Sequence, residues 1–234
     1  MTANIKQIVF TMVVSLLLVG GLAWWVEERS SVRTELLLNP DAPALEGPVA
    51  PEEQEVIDPG ITNTMNPIAT IQTNKGIIKL ELFRDQMPVT VGNFIKLAES
   101  GFYDDTKFHR VIPSFMIQGG DPNTRDQAEM TWGTGGPGYA IADEHVAGEL
   151  LTNTRGTIAM ANSGPNSGGS QWFINLVDNT YLDFDKQPLQ SKHPVFGRVT
   201  EGIDVVDAIG NSETKERDVP IDPIVIETIT ITEG

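Results

Sequence analysis

Residues 8–26 read IVFTMVVSLLLVGGLAWWV, nineteen residues without a charge. No other feature restricts the chain so strongly. At about 1.5 Å of rise per residue, a helix of that length roughly crosses a ~30 Å hydrocarbon layer. A helix packed in a soluble core keeps polar residues on one face, and this run has almost none. Lys6 precedes it, and Glu27, Glu28 and Arg29 follow. The positive-inside rule then puts residues 1–7 in the cytoplasm and everything after the run outside it. Trp24 and Trp25 fall at the outer end, where amphipathic rings favour the interface. The expected element is an uncleaved signal anchor. A cleaved signal peptide is the competing reading, with Gly21 and Ala23 as small residues before a cut. Against it, the run exceeds the usual apolar core of a signal peptide, and tryptophans directly after a cut are unusual.

Residues 27–66 hold nine acidic and two basic residues, and five prolines (Pro40, Pro43, Pro48, Pro51, Pro59). Such a stretch buries too little apolar surface to offset chain entropy. It reads as an extended, self-repelling spacer that holds a domain off a membrane. Of the formal charge of −16, the spacer carries −7, Lys6 +1 and residues 67–234 the remaining −10. An acidic chain of this kind is no nucleic-acid binder, which needs a basic patch. The absence of cysteine excludes disulfides, a thiol nucleophile and a lipidated cysteine.

From Pro67 the texture changes to short alternating runs. Residues 68–73 and 76–83 read as a hairpin through Asn74-Lys75-Gly76. Residues 88–100 read as a helix, with proline in the first turn, Val91, Phe94, Ile95 and Ala98 on one face, and Gly101 as the stop. Further strand-like runs fall at 115–118, 156–161, 171–176, 194–199 and 224–231, with a second short helix at 203–209. The expected fold is mainly β, a closed barrel with helical plugs. Domain 67–234 is read as one unit.

The usual chemistries find no footing. The three histidines, His109, His145 and His193, show no metal-ligand spacing, so neither metal nor cofactor is expected. Ser170 lacks the GxSxG elbow of a serine nucleophile, and GTGGPG lacks the Lys-Ser/Thr of a phosphate loop. What stands out is Phe108-His109-Arg110-Val111-Ile112-Pro113 leading into Phe115-Met116-Ile117-Gln118-Gly119-Gly120-Asp121. Strand alternation puts Arg110 on the face of Phe108 and Ile112. A barrel-embedded arginine is unfavourable unless paired or used. Later, small residues flank Asn162 in MANSGPNSGGSQWFI, leaving backbone open to an extended peptide.

FHRVIPSFMIQGGD, the GTGG loop and MANSGPNSGGSQWFI together resemble the cyclophilin-type peptidyl-prolyl cis-trans isomerases, from about Pro67 to the C-terminus. The resemblance implies a closed eight-stranded antiparallel β-barrel capped by two α-helices, here behind one N-terminal transmembrane helix. It implies that Arg110 is the catalytic arginine and that Gln118 orients it and contacts substrate. Phe115, Met116, Phe173 and Leu182 match the pocket for the proline ring. Ala161, Asn162 and Gln171 match the peptide groove, Gly133 the adjoining loop, and His193 the pocket rim. Tyr181 stands where many eukaryotic members carry a tryptophan that helps bind cyclosporin, so affinity for that inhibitor does not carry over with the motif. The stretch 184–191 before His193 is longer than in short eukaryotic forms.

The implied reaction is rotation about X–Pro bonds in folding client proteins, which breaks no bond and needs no thiol. The expected protein is a monomeric, bacterial-like, single-pass membrane isomerase with its catalytic domain periplasmic or at the cell surface. Its partners are proline-containing polypeptides and the membrane. The rival readings are a non-catalytic proline-peptide module and a membrane scaffold.

Overall fold

A computed structural model describes residues 65–186 and 192–234. The anchor expected at 8–26, the spacer up to residue 64, and residues 187–191 lie outside the described residues. Among the described residues no helix is long and apolar enough to cross a membrane.

Strands β1 (Ile68–Thr73) and β2 (Gly76–Leu82) form the expected hairpin, with Thr73 paired to Gly76. The turn is fastened by Thr73, whose hydroxyl donates to the Gly76 carbonyl at 2.7 Å. Alternation puts Ala69, Ile71, Ile78 and Leu80 inside with no exposed surface. Helix α1 (Pro88–Glu99) starts on proline, whose missing N–H would have no partner there anyway. Its buried stripe is Val91, Phe94, Leu97 and Ala98, with Ile95 packed at the margin. The Glu144 carboxylate accepts from the Val89 and Thr90 amides and so caps the helix from a distant loop. Strands β3 (Thr106–Lys107), β4 (Arg110–Ile112), β5 (Met116–Gly119), β6 (Thr157–Met160), β7 (Trp172–Asn175) and β8 (Val195–Glu201) follow. Helix α2 (Ile203–Gly210) buries Val206 and Ile209, and β9 (Val225–Thr232) completes the set.

All nine strands join one antiparallel sheet in the order β3-β9-β1-β2-β8-β6-β7-β5-β4. This corrects the expected closed ring of eight. The ladder has two ends, β3 and β4, which are consecutive in the chain but not paired with each other. Between them the backbone changes neighbours. The Phe108 amide donates to Ile224 on the β9 side, and the His109 amide to Gln118 of β5, both at 3.0 Å. A chain that passes its hydrogen bonds from one neighbour to another at this point cannot continue as a single strand.

The break also resets the alternation. Phe108 and Val111 both enter the core, each at most 1% exposed. Arg110 therefore does not lie inside the barrel with Phe108, as strict period-two reading predicts. It stands on the outer face with Ile112, its side chain 44% exposed.

The sheet thus separates two apolar groups. The inner one holds Val111, Ile117, Ile158, Trp172, Ile174 and Phe196 with the apolar faces of both helices. Trp172 meets Phe94, Tyr103 and Phe108 edge to face, with centroids 5.6–6.4 Å apart. The outer group is smaller: Phe83, Met116, Ala159, Phe173, Leu182 and Val195. Consecutive residues of β5, β6 and β7 alternate between the two groups, as the pleat requires.

Candidate active site

The pairing register builds a row of side chains across four strands. Arg110 pairs with Gln118, Gln118 with Phe173, and Phe173 with Ala159. Directly paired residues share a face, with Cβ atoms about 4.5–5.5 Å apart. One step along, Ile112 pairs with Met116 and Met116 with Asn175. The outer face therefore presents a cation, an amide and an apolar patch side by side. Phe115, Ile112 and Ala161 pack against that patch, and Leu182 closes it.

Beyond Gln118 and Gln171 the surface opens into a groove of about 430 Å³. Gly133, Gly135, Tyr139, Ala161 and Asn162 are among its walls. The Gln118 amide donates to Gln171 Oε1 at 2.9 Å, and Gln171 Nε2 donates to the Gly135 carbonyl at 2.8 Å. This relay ties the sheet to the glycine-rich loop. The resemblance has Gln118 orienting the arginine. The structure sets the two side by side but directs the Gln118 amide to Gln171, while Arg110 Nε donates to Asp218 at 3.4 Å.

The remaining expected residues fall as follows. The Ala161 amide donates to the Gln171 carbonyl at 3.0 Å, and Asn162 Nδ2 to the Lys192 carbonyl at 2.7 Å. His193 lies edge-on to Phe173, with centroids 5.4 Å apart. Its amide donates to the Leu182 carbonyl at 3.1 Å, so the chain returns to the pocket despite the long stretch before it. Burial lowers the pKa of His193, and the neutral ring keeps Nδ1 3.0 Å from the Met160 carbonyl. Tyr181 is not brought into the apolar patch: it is 48% exposed beside buried Leu182.

Several supporting residues have no signal in the sequence. Asp121 is fully buried, and its carboxylate accepts from the Asn123, Gly133 and Gly135 amides. Gly120 sends the chain there. It has φ +84, and a Cβ on it would collide with the Ser170 carbonyl. A Cβ on Gly135 would collide with the Asp121 carboxylate in the same way. Beneath this loop His109 is 3% exposed, and burial lowers its pKa. On the other side, Asn153, Asn175 and Asn179 form a buried amide chain that reaches Asp183 and the Phe115 carbonyl. Paired buried polar groups rigidify what they touch, and this chain touches the backbones of Phe115 and His193.

Comparison with known proteins agrees with the geometry. The family model described as cyclophilin type peptidyl-prolyl cis-trans isomerase/CLD matches residues 68–231. The chain is 42% identical over 190 residues to the probable peptidyl-prolyl cis-trans isomerase A of Mycobacterium leprae, covering 73% of this chain and 96% of that one. It is 41% identical over 164 residues to human peptidyl-prolyl cis-trans isomerase-like 1, covering 68% of this chain and 89% of the relative. A crystal structure of a Cryptosporidium parvum cyclophilin type peptidyl-prolyl cis-trans isomerase superposes with a TM-score of 0.61 at 34% identity, over 72% of this chain and 98% of that one. A second structure of that protein, in the presence of the dipeptide Ala-Pro, gives the same TM-score. The chain belongs to the cyclophilin-type peptidyl-prolyl cis-trans isomerases, and it is an enzyme of that family.

Proposed function

We propose that the row Arg110–Gln118–Phe173 is the catalytic face on which X–Pro bonds rotate. The observation that carries this reading is the register, which sets an arginine against a closed apolar patch on one face of the sheet. The X–Pro amide resists rotation because its C–N bond has double-bond character, with a barrier of roughly 18–20 kcal/mol. At the twisted midpoint the prolyl nitrogen regains its lone pair. A hydrogen bond from Arg110 to that nitrogen stabilises the twisted form and has no equivalent in the planar one, so it lowers the barrier. The guanidinium suits this because it stays charged and presents a rigid fork.

The proline ring sits on Met116 and Phe173, between Phe115, Leu182 and His193. That patch excludes water and so strengthens the hydrogen bond. A neutral His193 adds no competing charge there. The peptide before the proline lies along Ala161 and Asn162, with Gln118 and Gln171 offering polar contacts and Gly133 bounding the groove. A relative studied with Ala-Pro supports a short proline peptide as the minimal ligand. Tyr181 walls the outer edge.

The clients are proline-containing chains met outside the cytoplasm. Residues 8–26 hold the protein in the membrane with residues 1–7 cytoplasmic, and 27–66 space the monomeric catalytic domain from the bilayer. The apolar run, the lone preceding lysine and the acidic proline-rich stretch support this arrangement.

Isomerase activity is tested by following cis-to-trans relaxation of a short X–Pro peptide with the full chain in detergent. The wild type accelerates relaxation and Arg110→Ala does so by at least about a hundredfold less, the scale of one lost transition-state contact. Equal rates would remove Arg110 from the mechanism. Carbonate extraction of membranes, with sequencing of the mature N-terminus, tests the tether. A soluble product starting near Trp24 would show cleavage instead.

A further inference from the structure

The segment between α2 and β9 has no part in the mechanism so far, yet it reaches the catalytic face. Residues 213–221 fold back on themselves: the Ile221 amide donates to Glu213, the Lys215 amide to Val219, and Thr214 bridges Pro220. At the tip, Arg217 and Asp218 are consecutive non-glycine residues with left-handed backbones, φ +65 and +60. Such conformations are unfavourable for L-residues and persist where surrounding contacts fix them. Here the contacts run in two directions. Lys215 pairs with the Glu129 carboxylate at 2.7 Å, and Arg217 donates to the carbonyls of Glu129 and Trp132, at 3.2 and 2.9 Å. Those anchors sit in the loop that leads into Gly133 of the groove. The next residue, Asp218, turns the other way and accepts from Arg110 Nε at 3.4 Å.

We propose that Asp218 is a positioning residue for isomerisation: the strained tip holds its carboxylate against Arg110 Nε and so aims the rest of the guanidinium at the groove. A free arginine side chain samples many rotamers, and its fork is useful only when oriented. Nε lies at one corner of that fork. A partner there leaves both terminal nitrogens for substrate, and among the described residues the Asp218 contact is the one hydrogen bond recorded to the Arg110 side chain. Gln118, the other candidate for this task, donates through Nε2 to Gln171, and among the described residues its Oε1 accepts no hydrogen bond from Arg110. The backbone strain has a place in this scheme, because Arg217 and Asp218 reach different partners from adjacent positions. This inference rests on Arg110 acting on the prolyl nitrogen.

The test is a double-mutant cycle in the full chain, with Asp218→Asn, Arg110→Ala and the pair. Asparagine tolerates the left-handed backbone and keeps the shape while reducing the charge-assisted contact to a weaker, neutral one. Asp218→Asn lowers kcat/KM about two- to fivefold, through kcat and not KM, the size of one weakened orienting contact at an exposed site. In the Arg110→Ala background the same change has no further effect. The Arg110 Nε–H signal in nitrogen-15 spectra exchanges faster with solvent in the single variant. A wild-type rate for Asp218→Asn, a change confined to KM, or an equal fall in both backgrounds each overturns the proposal. Full activity of Arg110→Ala alone would instead overturn the catalytic assignment of Arg110 beneath it.

Discussion

Two faces of the same strands behave as different materials. On the inner face of β5, β6 and β7, Ile117, Ile158 and Ile174 have no exposed surface and belong to the larger apolar core. On the outer face, Met116, Ala159 and Phe173 are nearly as buried, but their cluster is small and ends at Gln118 and Arg110. Adjacent residues thus share a backbone and differ in task. The inner set holds the sheet together, and the outer set leaves an apolar floor beside a charged donor. If the outer face is the catalytic one, as proposed, substitutions at adjacent residues separate stability from catalysis.

The largest effect expected from breaking that division is on the inner side. Trp172→Ala removes an indole that three aromatic rings meet edge to face, and lowers unfolding stability by about 3–5 kcal/mol in urea titrations. Its neighbour sharpens the contrast. Phe173→Leu keeps most of the volume, so it lowers stability by less than about 1.5 kcal/mol. It also removes the flat ring proposed to seat the proline. The peptide relaxation assay then shows a loss of about tenfold or more, out of proportion to the stability change.

Acid weakens the fold in two steps. Burial holds both His109 and His193 below the ordinary histidine value of 6.5. The unfolded chain accepts protons that the folded protein resists. Stability is therefore full above about pH 6.5 and declines as the pH falls through that value. A second decline follows at lower pH, where Asp207 is held below its ordinary 3.8 chiefly by its hydrogen bonds from Arg155. Unfolding midpoints measured from pH 8 to pH 2 show the first step below about 6.5 and the second below about 3.8, and His109→Asn weakens the first. The smallest effect belongs to the exposed surface. Asp207→Asn breaks a two-pronged pair with Arg155, both side chains more than 40% exposed, and lowers stability by no more than about 1 kcal/mol. Added salt shrinks that difference.

Much of the fold was legible because local signals agreed with the tertiary outcome. The hairpin at 68–82 had alternation and a turn signal, and α1 had a proline start and an apolar stripe, so both appear within a residue or two of expectation. The run 108–112 did not yield to the same reading. Alternation assumes one continuous strand, and nothing local shows that Phe108 and His109 change neighbours. Alternation therefore reads Arg110 as internal when it faces out, and the closed eight-stranded barrel that the resemblance implies is, among the described residues, a nine-stranded ladder with two ends. The site residues were named through long ordered motifs, whereas their supports were not. Asp121, Asn153 and Asn175 act through contacts to residues distant in sequence, which spacing cannot reveal. Asp218 is the extreme case, 108 positions from the arginine it meets.

The central claim is that the outer face carries the chemistry and the inner face the fold, and β4 tests it with two consecutive residues. Arg110→Ala and Val111→Ala are to be compared for kcat/KM on an X–Pro peptide and for the urea midpoint of unfolding. Arg110→Ala loses about a hundredfold or more in kcat/KM and keeps its midpoint, while Val111→Ala unfolds at markedly lower urea and keeps its kcat/KM per folded molecule. An Arg110→Ala protein that turns over peptide at the wild-type rate would contradict the account.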